Sequence, residues 1–253
     1  MTLIQEIAPD SELQSQLRDL ALFNYLCGAY DMTADINYKH LLCNPLLRLK
    51  CITLDSVVLT PQLLKCHLLT LGIKDKWGIN ALLSPKDKQD VKVMFDLLSS
   101  IASLLPPPST NSPSVPQSHK VLQLLGCFYA HFLKAYTNVD LTLHQQLTHL
   151  SAAAHLVLAF YAKEKGHAMP SQLFFDLMTT IKNAYVCVGK TQVDNPLGSF
   201  WLSLPGTDSL KGLFGKVWTI QCNDSNVDQL QLANHIDSAV ICTNILKEHP
   251  EWD

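Results

Sequence analysis

The sequence lacks an apolar run long enough to cross a bilayer. Its longest, LSAAAHLVLAFYA from Leu150 to Ala162, falls short of the roughly 20 residues a spanning helix needs and contains His155. Residues 1–20 carry Glu6, Asp10, Glu12, Arg18 and Asp19, so no continuous apolar segment of a secretory leader stands there. None of the eight cysteines pairs in Cys-x-x-Cys spacing. Together these absences predict reduced, mostly buried thiols in an intracellular protein, nuclear or cytoplasmic and not secreted. A charge excess is missing too. The chain has 19 basic and 22 acidic residues, a net charge of -3, so no global basic field points to nucleic acid. DNA contact would need a local stripe or another subunit.

Catalytic and metal motifs are equally scarce. No G-x-S-x-G elbow occurs, and AYVCVGKT (Ala184 to Thr191) has alanine where a phosphate-binding loop starts with glycine. It reads as a buried helix end. His144, His149 and His155 are spaced so that no two share adjacent turns of one helix face, and no cysteine or carboxylate completes a tetrahedral set beside them. CNDSNVDQ (Cys222 to Gln229) lacks the glycine and final glutamate of a calcium loop and reads as the cap of the last helix.

What is present is a chain of 253 residues, 47% hydrophobic and only 16% charged, a lean surface with apolar area for a partner or for further sequence to cover. Leu13, Leu17, Leu20 and Leu26 fall at roughly helical spacing. KCITLDSVVLT predicts a hairpin turning at Asp55 and Ser56. Thr60-Pro61 opens a helix through Leu71, stopped by Gly72. Ser84-Pro85 opens another, with Val91, Met94, Phe95, Leu98 and Ile101 toward the core. Residues 106–118, PPPSTNSPSVPQS, read as a mobile linker. Beyond it Val121, Leu124, Leu125, Phe128 and Phe132 form one stripe. The expected core helices are 84–104, 120–136, 142–164 and 170–188, followed by a turn at NPLGSF, a brief strand in FWLSL and a last helix from Leu230 to Leu246.

Two polar clusters remain, DMTADINYKHLL (Asp31 to Leu42) and GTDSLKGLFGKVW (Gly206 to Trp218). Taken alone, each is a solvated turn capping a helix. Their setting changes that reading. DLALFNYLCGAYDMTADINYKHLL, LTPQLLKCHL, LLSPKDKQDVKVMFDLL, LTHLSAAAHLVLAFY, IKNAYVCVGKTQVDNP and GTDSLKGLFGKVWTIQCNDSNVDQLQLANHI, in that order, resemble segments of a repeated fungal transposon family related to the P-element and Kyakuja-Dileera-Zisupton transposases. The resemblance implies a mainly α fold: a helical insertion plus the remnant of a ribonuclease-H-like core with a few short strands. On this division residues 1–60 are the core remnant with the second-acid region, 61–195 the insertion and 196–253 the third-acid region.

Intact members of such a family cut and join DNA with two magnesium ions held by a carboxylate triad. The resemblance places the second acid at Asn37, three residues before His40, and the third at Lys211, after Gly206, Thr207, Asp208 and Leu210. The first lies upstream of the matched segments. An amide at Asn37 keeps an oxygen but loses its charge, and a lysine at 211 repels the ion it should hold. Pro45 interrupts the following basic helix, which keeps Arg48, and Trp218 stands where an arginine is usual. The expectation is a vestigial site, Asn37 and Lys211 with neighbours Asp35, His40 and Asp208. It predicts no bound metal or cofactor and no autonomous nuclease or strand-transfer activity, and nothing in the sequence identifies a small-molecule substrate. Asp208 is assigned to capping. The rival expectations are a helical interaction scaffold, as a homo-oligomer or the partner of an intact transposase subunit, and a nuclease in which Asp31, Asp35 or Asp208 has taken over as metal ligand.

Overall fold

The computed structural model describes residues 5–8, 11–17, 26–27, 33, 36, 38, 41, 51–70, 72, 75–83, 90–104, 115–164, 167–206, 215, 217, 229–249 and 251. Within them the protein is mainly helical, with two separate two-stranded antiparallel sheets. It divides into two compact units, Met1–Pro205 and Gly206–Asp253.

The first unit opens with β1 (Gln5–Glu6), paired with β2 (Leu26–Cys27) so that Gln5 faces Cys27. Between them lies α1 (Glu12–Leu17), capped by Ser11, whose Oγ accepts from Gln14 N at 3.1 Å. Leu26 therefore belongs to a strand and does not continue the Leu13–Leu17 face. Leu13 and Leu17, one turn apart, pack with Ile7, Cys27 and Val186 in a small satellite core.

The predicted hairpin forms as β3 (Ile52–Leu54) and β4 (Val57–Leu59), with Ile52 opposite Leu59. Alternation buries Ile52, Leu54 and Leu59. Asp55 and Ser56 both take positive φ, 52° and 61°, the hand that matches strand twist but that glycine and asparagine adopt more cheaply. The tip is held from outside: Glu164 Oε1 accepts from Asp55 N at 2.9 Å, Gln117 Nε2 donates to Asp55 Oδ2 at 2.8 Å, and Lys163 pairs with the Asp55 carboxylate.

Then α2 (Pro61–Thr70) starts as expected, with Thr60 Oγ1 accepting from Leu63 N at 3.2 Å, and Gly72 follows at φ +65°. Next comes α3 (Lys76–Leu83), which sequence reading did not separate; Asp75 caps it through Gly78 N at 2.8 Å. The expected helix over 84–104 begins later. Asp90 is extended (φ -66°, ψ 98°) and its carboxylate accepts from Val93 N at 3.0 Å, so α4 spans Val91–Ala102. Val91 is exposed, and Leu97 takes its place on the buried face with Met94, Leu98 and Ile101.

The expected linker ends early, because α5 covers Val115–Thr137 and absorbs residues 115–118. A proline in a first helical turn interrupts no bond, which is why Pro116 is tolerated. Leu124 leaves the predicted stripe and is exposed; Leu122, Tyr129 and Leu133 are buried in its stead. A short turn leads to α6 (Leu143–Glu164), opened by a reciprocal cap: Gln145 N donates to Thr142 Oγ1 at 3.3 Å and Thr142 N to Gln145 Oε1 at 2.9 Å.

Helix α7 runs Ser171–Asp194, past the expected end at 188. Gly189 stays helical because it is where α1 packs: a Cβ there would meet Leu13 Cδ1 at 3.2 Å. NPLGSF turns as expected, with Gly198 N donating to Asn195 O at 2.8 Å. FWLSL is not a strand. Leu204 N folds back on Trp201 O at 3.0 Å. Helices α4, α5, α6 and α7 pack in sequence order, and the hairpin leans on α5 and α6 around one large core.

The second unit contains α8 (Gln229–Glu248), with Ala239 buried and Leu230, Val240, Ile241 and Ile245 exposed. The segment predicted to cap it lies outside the described residues but for Gln229, which is already helical. The thiols also depart from expectation. Of the six described free cysteines, Cys51, Cys66, Cys127 and Cys242 are exposed and only Cys27 is buried.

Candidate functional site

The short α5–α6 turn and the segment after α7 together form a groove of about 440 Å³, lined among others by Tyr136, Val139, Gln146, Phe200, Trp201 and Leu202. Its floor is rigid, since Tyr136 and Leu202 are core residues. Its rim is apolar and wet at once: Val139 is 87% exposed, Trp201 64%, and Leu204 and Leu197 beside it 70% and 98%. Asn138 shapes the turn by accepting from Asp140 N at 3.0 Å.

On the inner side of Tyr136 lies a cavity of about 10 Å³, room for roughly one water, lined by Ile36, Tyr38, Thr180, Asn183, Ala184 and Pro205. Here the described residues Thr33, Ile36, Tyr38 and Leu41 meet the bundle. Tyr38 stacks on Tyr136 with ring centres 4.0 Å apart and planes 9° from parallel. Thr33 Oγ1 donates to the buried Asn183 Oδ1. Leu41 is buried in the same core. Close by, the half-buried Tyr185 donates to Leu147 O at 2.7 Å; burial raises its phenol above the usual value.

The predicted site residues themselves, Asn37, Asp35, His40, Asp208 and Lys211, lie outside the described residues, as do Asp31, Pro45, Arg48 and Trp218. Of residues 31–42 the structure describes Thr33, Ile36, Tyr38 and Leu41, of which Tyr38 stacks on Tyr136 of α5 and Thr33 bonds Asn183 of α7. Among the described residues no three histidine, cysteine or carboxylate groups converge as a metal set. No helix of the described residues is long and apolar enough to cross a membrane.

Sequence reading missed one polar feature. His149, tested only against His144 and His155 along its own helix, pairs with His131 of α5: the Nδ1 atoms are 2.8 Å apart. A second contact joins His67 of α2 to His119 of α5, ring centres 5.4 Å apart. The first pair was findable in principle. His131 and His149 stand equally far from Asp140 at the tip of the α5–α6 hairpin, so an antiparallel register brings them side by side.

No family model, curated protein or solved structure matches the chain.

Proposed function

We propose that the chain is a transposase-derived remnant that no longer cuts or joins DNA on its own and serves as a helical interaction scaffold, with a second copy of itself as the occupant of the groove. The observation that carries this reading is the groove at Tyr136 and Trp201, where a fixed aromatic floor meets a rim of exposed large apolar side chains. Side chains of this type gain most by being covered, and aromatic anchors over a packed floor are what interface centres are made of. The lean charge of the whole chain points the same way. Descent from a ribonuclease-H-like nuclease rests on the ordered sequence resemblance, and loss of cleavage on an amide at Asn37 and a cation at Lys211 where acids are needed.

Light scattering on the full chain across a hundredfold concentration range tests the scaffold, with Trp201→Glu as the comparison. A wild-type dimer that the charge at Trp201 dissociates supports the proposal; a monomer throughout removes it. Incubating supercoiled plasmid with the chain and manganese tests the other half. Metal-dependent nicking abolished by Asp35→Ala would replace the remnant with an active nuclease.

A further inference from the structure

Helix α5 meets histidines of two neighbouring helices. Near its N-terminus His119 faces His67 of α2, ring centres 5.4 Å apart, both residues buried, with His67 Nε2 3.1 Å from Ser118 Oγ. Three turns further on, His131 faces His149 of α6, ring centres 5.0 Å and Nδ1 atoms 2.8 Å apart. One Nδ1 must donate and the other accept, so this second contact exists only while at least one ring is neutral. Two imidazolium rings would aim N–H at N–H across the interface between the two helices.

We propose that these contacts are paired clasps that hold α5 to α2 and α6 at neutral pH and release it in acid, making the first unit a pH-responsive bundle. The surroundings favour release. The charges acting on His131 are His149 from α6 and Lys134 from its own helix; Lys134 acts on His149, and His119 on His67. Each of these neighbours lowers the proton affinity of the ring it acts on, and none is a carboxylate. The other packed elements bring Asp55 on the hairpin, Lys76 on α3, Lys92 and Asp96 on α4 and Asp176 and Lys182 on α7, none of which acts on these three rings. Asp55 is engaged by Lys163 and Gln117. Among the described residues, no carboxylate offsets a second proton on His131, His149 or His67.

Burial first, then the neighbouring cations, hold His131, His149 and His67 below the ordinary imidazole value of 6.5. The unfolded chain consequently binds more protons than the folded one as pH falls below that value. Stability is fully present above it and is lost as pH falls toward the folded values, with the folding constant dropping about tenfold per pH unit for each extra proton bound.

Urea unfolding of the full chain between about pH 7.5 and about pH 5 tests this on wild type, His131→Gln with His149→Gln, and His67→Gln with His119→Gln. The wild type should lose at least about tenfold in folding constant over the acid half of that range, and each double variant should lose markedly less. Double variants that keep the full wild-type dependence overturn the proposal. Should a variant fail to fold, the imidazole titrations of the wild type, followed by NMR, decide instead: His131, His149 and His67 titrating below the ordinary imidazole value support the clasps, and the same three rings titrating at or above it overturn the proposal.

Discussion

The first unit has two apolar cores on opposite sides of α7, and they are built differently. The large one interleaves α4, α5, α6 and α7 with the β3–β4 hairpin, so that Leu122, Phe132, Leu150 and Ile181 are sealed by several elements at once. The satellite rests on Ile7, Leu13, Leu17, Cys27 and Val186, contributed by two-residue strands, a six-residue helix and one face of α7. A helix as short as α1 is not stable on its own, so the satellite depends on α7, while α7 is already fixed by the large core. The difference teaches that burial alone does not rank these residues; what matters is how many fixed surfaces surround the hole left by a deletion.

The largest expected effect separates the cores directly. Phe132→Ala removes a fully buried ring that packs against Phe128 and Tyr136, and should cost about 3–5 kcal/mol in a single cooperative transition. Leu13→Ala should fall at the low end for its type, about 2 kcal/mol, because the small α1 can settle into the space. Hydrogen exchange should show α1 opening first while α5 and α6 stay protected. Equal losses with uniform exchange would show that the two cores form one cooperative structure.

Two helical glycines sharpen the same contrast. A Cβ on Gly126 of α5 would stand 2.5 Å from the Ile101 carbonyl oxygen, the backbone of α4, which cannot turn aside as a side chain can. Gly126→Ala should therefore cost about 1–3 kcal/mol, net of the roughly 1 kcal/mol alanine gains as a helix former. At Gly189 the nearest atom is Leu13 Cδ1 at 3.2 Å, the tip of a flexible side chain. Gly189→Ala should be neutral or raise stability by up to about 1 kcal/mol. Thermal melts of both variants check the pair, and a destabilised Gly189→Ala would mean that α1 is held more rigidly than a satellite should be.

What could be read from sequence follows this division. The hairpin at 52–59 and α2 were legible because their signals are local: β-branched runs flanking a turn, then Thr60-Pro61 and Gly72. The end of α7 lies beyond the expected 188, and at Gly189 the helix meets α1, which approaches from far away in sequence. Leu26 was misplaced because a two-residue strand has no period to detect. At the groove, Phe200 to Leu204 looked like strand by composition, but in the structure the Trp201–Leu204 turn takes the backbone bond that a partner strand would have supplied. The histidine contacts escaped because each half lies on a different helix, and Cys66, Cys127 and Cys242 are exposed because helical phase overrode a residue preference for burial.

The smallest effects concern two tyrosines, one in the large core and one joining both. Tyr129 of α5 is wholly buried and its hydroxyl has no hydrogen-bond partner among the described residues; burial drives its phenol far above the usual value. An unmet buried hydroxyl carries its desolvation penalty uncompensated, so Tyr129→Phe should raise stability by about 1 kcal/mol. Tyr185 packs against both cores and donates to Leu147 O of α6, so the same change there should lower stability by about 1 kcal/mol. Opposite signs from one chemical change would confirm that the large core tolerates a polar flaw through its packing, whereas the link to the satellite depends on a specific bond. If Tyr129→Phe instead destabilises, its hydroxyl has a partner and the large core is better satisfied than its described residues show. Denaturant midpoints of the two variants and of the double variant decide the point, and near-additive shifts would place the two hydroxyls in separate networks.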